Sequence, residues 1–136
     1  MKKIFHILLL FTAIFFAGCE EKVEIDHPIA GHTYCWYKDT DSGYYISYIE
    51  FHSNGDFVRI SVEHNRYLGD ESYRFPPMRW SVEGNNITVI NNYHLTFFDD
   101  PYGEVEYTGF YNPEDSTVTL RGLGETGIAT VYEFLE

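Results

Sequence analysis

From residue 31 to the end, apolar and polar side chains alternate in short runs, and turn residues break the runs at regular intervals. No stretch beyond residue 30 keeps the three-to-four-residue spacing of an amphipathic helix. Runs rich in Tyr, Phe, Val, Ile and Thr, bounded by Gly, Asn, Asp and Pro, mark strands joined by hairpins. The pattern predicts strands at 31–38, 44–52, 56–63, 78–83, 86–91, 94–98, 104–111, 116–123 and 128–135.

The turns set expected registers. Asn54-Gly55 predicts a two-residue type I′ turn. It places Phe51 opposite Val58 and Ile49 opposite Ile60 on one apolar face, with Glu50 opposite Arg59 on the other. Gly84-Asn85 predicts a type II′ turn, pairing Val82 with Ile87 and Trp80 with Val89, and Glu83 with Asn86 and Ser81 with Thr88 on the polar face. The loop Asn112-Pro113-Glu114-Asp115 pairs Tyr107 with Leu120 and Gly109 with Val118, and sets Glu106 against Arg121. In the last strand Tyr132 and Phe134 are expected inward, because burying two aromatics gains more than burying Ala129 and Val131. Each hairpin has one apolar face, so the sheet has an inside and an outside. The expected fold is all-β, an antiparallel up-and-down meander barrel of about eight strands, whose closure removes exposed edges. A two-sheet β-sandwich is the alternative.

The chain ahead of this pattern is different. Lys2 and Lys3 precede an apolar run from Ile4 to Phe16, and Ala17 and Gly18 follow. The run is too short to span a bilayer as a helix, which takes about 20 apolar residues, and it has the layout of an export signal. Phe16-Ala17-Gly18-Cys19 resembles the lipobox of bacterial lipoproteins, with Phe16 where Leu is commonest. The resemblance implies cleavage after residue 18 and acylation of Cys19. Two or more acyl chains make a stable anchor where one does not. The expected organisation is a cleaved signal at 1–18, a lipidated Cys and acidic tether at 19–29 carrying Glu20, Glu21, Glu24 and Asp26, and a single barrel domain at 30–136. Acidic residues after the lipid Cys resemble surface-display signals of Bacteroidetes-like bacteria. The expected location is the cell envelope, lipid-anchored in the outer membrane, with the outward face as one option.

Charge and cysteine count narrow the partners. Nine Lys and Arg against 21 Asp and Glu give −12, which excludes nucleic acid, since phosphate binding takes a basic face. With Cys19 lipidated, Cys35 has no partner for an intrachain disulfide. In a strand, Cys35 and His32 point to opposite faces, which argues against a catalytic thiol.

The turn and core patterns Gly31-His-Thr-Tyr-Cys-Trp-Tyr37, Phe51-His-Ser-Asn-Gly-Asp-Phe57, Trp80-Ser-Val-Glu-Gly-Asn-Asn-Ile87, Tyr107-Thr-Gly-Phe-Tyr111 and Val131-Tyr-Glu-Phe134 resemble the small lipocalin-like (calycin-like) lipoproteins of Bacteroidetes. Thr33 stands where lipocalins usually carry Trp. The resemblance covers nearly the whole mature chain. It implies a barrel, mostly without an assigned activity in that family.

Candidate site residues come from two places. Trp80 and Tyr107, on inner rows, are the candidates to line a pocket, with plain core as the more common role of such rows. Arg66, Arg74 and Arg79 lie in or beside the turn-rich stretch 64–77. That stretch is expected as a loop at the barrel mouth, with arginines gripping an anionic group, unless they pair with neighbours such as Asp70 and Glu71. Tyr34, Trp36 and Tyr48 are a candidate external aromatic patch. His27, His32, His52, His64 and His94 have no recognised ligand spacing. The stretch from Asp39 to Glu50 imitates a calcium loop only in part, with Tyr44 where the sharp-turn Gly belongs. No metal, cofactor or catalytic motif is expected. The expected function is a non-enzymatic binding module for a small apolar or amphipathic ligand. The alternative is an acidic interaction or inhibitor module that binds a cationic protein at the envelope.

Overall fold

The computed structural model describes residues 24–91, 105–122 and 129–136. Cys19, the signal segment and the expected strand at 94–98 lie outside the described residues. Those described form nine strands and no helix: β1 His32–Thr40, β2 Gly43–Phe51, β3 Asp56–Asn65, β4 Gly69–Arg74, β5 Met78–Glu83, β6 Asn86–Asn91, β7 Val105–Asn112, β8 Thr117–Arg121 and β9 Ala129–Phe134. Every pairing is antiparallel. β1 joins β2, β2 joins β3, and β3 joins β5. Strands β5 to β9 then follow in order, and β9 returns to β1. Eight strands thus close the expected meander barrel rather than a sandwich.

β4 is the ninth strand, and it corrects the expected loop at 64–77. Its residues pair with β3 from Asn65↔Gly69 to Ile60↔Arg74, and Phe75 N donates to Arg59 O at 3.0 Å. Farther along the same edge, β5 takes over at Phe57↔Met78. Two residues, Pro76 and Pro77, span the place opposite Val58. The extra residue makes a bulge, where two missing N–H donors break no ladder.

The registers follow the turns. The β5–β6 hairpin has the predicted pairs, from Glu83↔Asn86 to Trp80↔Val89. Gly84 has φ +61°, as the first central position of a type II′ turn requires. The β7–β8 pairing keeps the predicted inner rows but is displaced. Gly109 faces Leu120 and Tyr111 faces Val118, so Glu106 does not meet Arg121. Asp115 Oδ1 accepts from both the N–H and the hydroxyl of Thr117 (3.1 and 2.7 Å), and Ser116 has φ +57°, so the four-residue loop moves by one position to 113–116.

The β2–β3 register corrects the prediction by one residue. Phe51 faces Phe57, Glu50 faces Val58 and Ile49 faces Arg59. The loop has three residues, Ser53-Asn54-Gly55. It is closed by His52 N donating to Asp56 O (2.9 Å), with Asp56 N on the Asn54 side chain (2.9 Å). Gly55 takes the left-handed position at φ +95°, as such loops demand. A one-residue slip turns every side chain of a strand to the other face. Phe57, fully buried, enters the core. Val58 is buried but stands outside the core cluster.

The core fills the end of the barrel that holds the 53–55, 84–85 and 113–116 turns. Phe51 is its hub, meeting Tyr34, Phe57 and Trp80 edge-to-face at 5.9, 5.2 and 5.1 Å between centroids. Ile87, Val89, Tyr111, Val118, Leu120 and Tyr132 complete it. Each such side chain contributes about 1.5–3 kcal/mol by leaving water. Part of the segment assigned to the tether is docked against this end. Ile29 is fully buried, Ile25 packs on the cluster, Ile25 N donates to Ser53 O (2.7 Å) and His27 Nε2 donates to Gly84 O (2.9 Å).

Candidate functional site

The one-residue register of β2–β3 decides where a positive charge sits. Arg59 lies two residues beyond Phe57 and opposite Ile49, so it shares the inward row of both. Its neighbours agree. Arg59 Nε donates to Ser47 Oγ at 3.4 Å and Nη2 to Tyr45 Oη at 3.3 Å. Ser47 is 1% exposed and sits two residues from Ile49 on the inner face of β2. The guanidinium also lies over the ring of Phe75, 4.7 Å from its centroid, a cation–π contact across the β3–β4 edge. Trp36, opposite Ser47 on β1, packs its ring edge-on to Tyr45 at 5.8 Å. Tyr132 enters from β9, where burial pushes its phenol up. The Ser47 hydrogen bond and the Arg59 charge pull it the other way.

The electrostatics of this cluster are one-sided. Three ion pairs join the described residues: Arg79 with Asp56, His52 with Glu50, and His64 with Asp70. Among the described residues, none places a carboxylate on Arg59. The guanidinium has five N–H donors, and two of them make long contacts to neutral hydroxyls. Lys38, opposite Tyr45 on the same face of β1, adds a second, exposed cation farther along the row. Glu63 is on the same row of β3, about 13 Å along the strand. Deeper in the core, burial pushes the Tyr34 phenol up to about 12, with Tyr111 beside it adding to the rise.

The residues singled out by sequence divide. Trp80 is 4% exposed, and its Nε1 donates to His52 O at 2.8 Å, which locks the indole into the packed end. Tyr107 packs half-buried against the core. The three arginines do not converge. Arg79 is exposed beside the 53–55 turn, with Nη1 on Asp56 Oδ1 (2.7 Å) and Nη2 on Asn54 O (3.0 Å). Arg66 is exposed in the β3–β4 turn, and Arg74 is exposed on β4 opposite Ile60. Asp70 bonds His64 instead of an arginine. The proposed outer aromatic patch also divides. Tyr34 is 1% exposed and Trp36 packs on the core, so only Tyr48 is left on the outer face. Cys35 faces outward and half-buried, and burial, with Glu133 nearby, pushes its thiol up and away from thiolate chemistry.

Arg59 was assigned to the outer face by the Asn-Gly turn rule. The size of Phe57 was the available signal, because an inward Phe57 carries Arg59 inward with it. A shallow groove of about 400 Å³ on the outer wall, by Thr88, Thr108, Phe110 and Arg121, offers another cation. Arg121 is exposed there, and a solvated charge gains little from an anion.

Among the described residues no group of three or more His, Cys, Asp or Glu is placed to hold a metal. Compared with known proteins, the chain matches no family model, and no curated protein or solved structure is significantly similar to it.

Proposed function

We propose that the protein is a lipid-anchored envelope lipoprotein whose barrel is a non-enzymatic binding module for a small apolar or amphipathic ligand. The observation that carries this is the inward row of Arg59, Ser47 and Tyr45, flanked by Trp36, Phe75 and Tyr132. A barrel wall selected for stability alone gains by filling such positions with apolar side chains, since a buried charge is at best neutral to stability. Aromatic walls with a few convergent polar groups are the common lining of small-ligand sites. Cys19 is the proposed acylation site, and the outer membrane the proposed location.

Binding is tested with N-phenylnaphthylamine, an uncharged apolar probe whose fluorescence rises out of water. Saturable enhancement is expected. A linear, unsaturable response removes the binding function. The anchor is tested separately by radioactive fatty-acid labelling, where label that persists on Cys19→Ala removes the lipoprotein assignment. The net charge of −12 supports a second activity, capture of a cationic protein. Recovery of a basic partner at low salt and its loss at high salt is the expected signature.

A further inference from the structure

We propose that Arg59 is an anion anchor, and that the ligand is an amphipathic carboxylate whose charged end sits on the guanidinium between Tyr45, Ser47 and Tyr132. This rests on the binding function proposed above and narrows it.

The first ground is charge. A half-buried guanidinium loses solvation and has to be compensated. What the described residues supply is two long contacts to neutral hydroxyls and the face of one ring. None is negative. Yet acids outnumber Lys and Arg by 21 to 9, and the exposed Arg79 has a carboxylate at 2.7 Å. An inward arginine in so acidic a chain that meets no acid among the described residues leaves a place for an anion from outside.

The second ground is shape. The guanidinium fork matches the two oxygens of a carboxylate, and such charge-assisted pairs are about twice as strong as neutral ones. The phenols of Tyr45 and Tyr132 can turn to donate to the same oxygens, because hydroxyl hydrogens rotate. Trp36 and Phe75 give apolar surface beside the charge for the rest of the molecule. One half-buried cation suits a monoanion. A phosphate dianion would want a second one beside it, and Lys38 is exposed at the end of the row.

The test uses dodecanoate and dodecanol, which differ at the head group alone, with N-phenylnaphthylamine as the neutral reporter and the full chain as the protein. Dodecanoate is expected to displace the reporter from the wild type at a concentration at least about tenfold lower than dodecanol does. Arg59→Gln is expected to lose that preference whatever its affinity for the reporter, so that acid and alcohol displace it at about the same concentration. Arg59→Lys is expected to keep part of it, since it keeps the charge without the fork. Equal displacement by acid and alcohol on the wild type overturns the anion anchor and leaves apolar binding standing, and needs no variant that might misfold. A preference that survives Arg59→Gln also overturns it. Failure of the wild type to bind the reporter, together with no heat from dodecanoate in calorimetry, removes both proposals. Dodecanoate heat that Arg59→Gln abolishes, with no reporter binding, supports the anchor and excludes the bulky neutral ligand.

Discussion

The two ends of the barrel use the same wall differently. Around the 53–55 and 84–85 turns the inward rows hold Phe51, Phe57, Trp80 and Ile87, with Ile29 docked against them. One step along the same strands, the inward rows hold Ser47, Tyr45 and Arg59. Phe57 and Arg59 are two residues apart on one strand, yet one is fully buried in edge-to-face contact and the other meets no carboxylate among the described residues. Strand geometry treats both alike. What separates them is chemistry, and the difference sets a packed apolar core at one end and a polar inward row at the other.

Substitutions at the packed end should be the most damaging. Trp80→Ala removes a buried indole and its bond to His52 O, and should cost about 3–5 kcal/mol in urea unfolding. A loss under 1 kcal/mol would place the stabilising core elsewhere. Gly109→Ala comes next. A Cβ there meets the Thr119 carbonyl oxygen at 2.0 Å, backbone that cannot step aside. Overpacking of this kind costs about 1–3 kcal/mol, read from the same unfolding curves.

A pH experiment sharpens the comparison without changing volume. The folded Tyr34 phenol titrates near 12, above the ordinary tyrosine value of 10. The folded chain therefore holds that proton more tightly than the unfolded chain. The stabilisation is complete below pH 10 and is lost as pH rises from there through about 12. Tyr34→Phe should flatten the fall in stability across that window. An unchanged slope would assign the alkaline loss to other groups.

Away from the packed core the effects on stability should be small. Arg79→Ala breaks an exposed pair with Asp56 and should cost about 0.2–1 kcal/mol, less at high salt. Arg59→Leu is expected to stay within about 1 kcal/mol of wild type or to rise above it, because apolar replacement of an inward charge that meets no acid among the described residues is often neutral or better. A loss of several kcal/mol on Arg59→Leu would make the arginine a structural member of the core and erase the contrast between the two ends.

Much of this fold was legible where a turn left one option. Gly84-Asn85 has one matching geometry, and the predicted pairs around it are those observed. Asn54-Gly55 left two. The two residues alone favour a type I′ turn, but His52 and Asp56 close a longer loop by their own backbone bond, and the register moves by one. β4 was missed because Gly69–Arg74 is polar throughout and ends at a double proline, which reads as loop. Its strand character comes from β3, whose edge extends beyond the reach of β5. The same slip hid Arg59. Trp80 and Tyr107 were recognisable from inward rows alone, whereas a lone arginine on an inward row is visible only once the register is right.

The docking of residues 24–31 beneath the barrel sets an orientation. Five positions separate Cys19 from Glu24, a span of at most about 18 Å when drawn out. Were Cys19 fixed in lipid, the molecule would stand on the bilayer like a cup on its base, its aromatic floor nearest the headgroups. The opposite rim would then look into the aqueous phase, and a guest would reach Arg59 from water rather than by climbing out of the membrane.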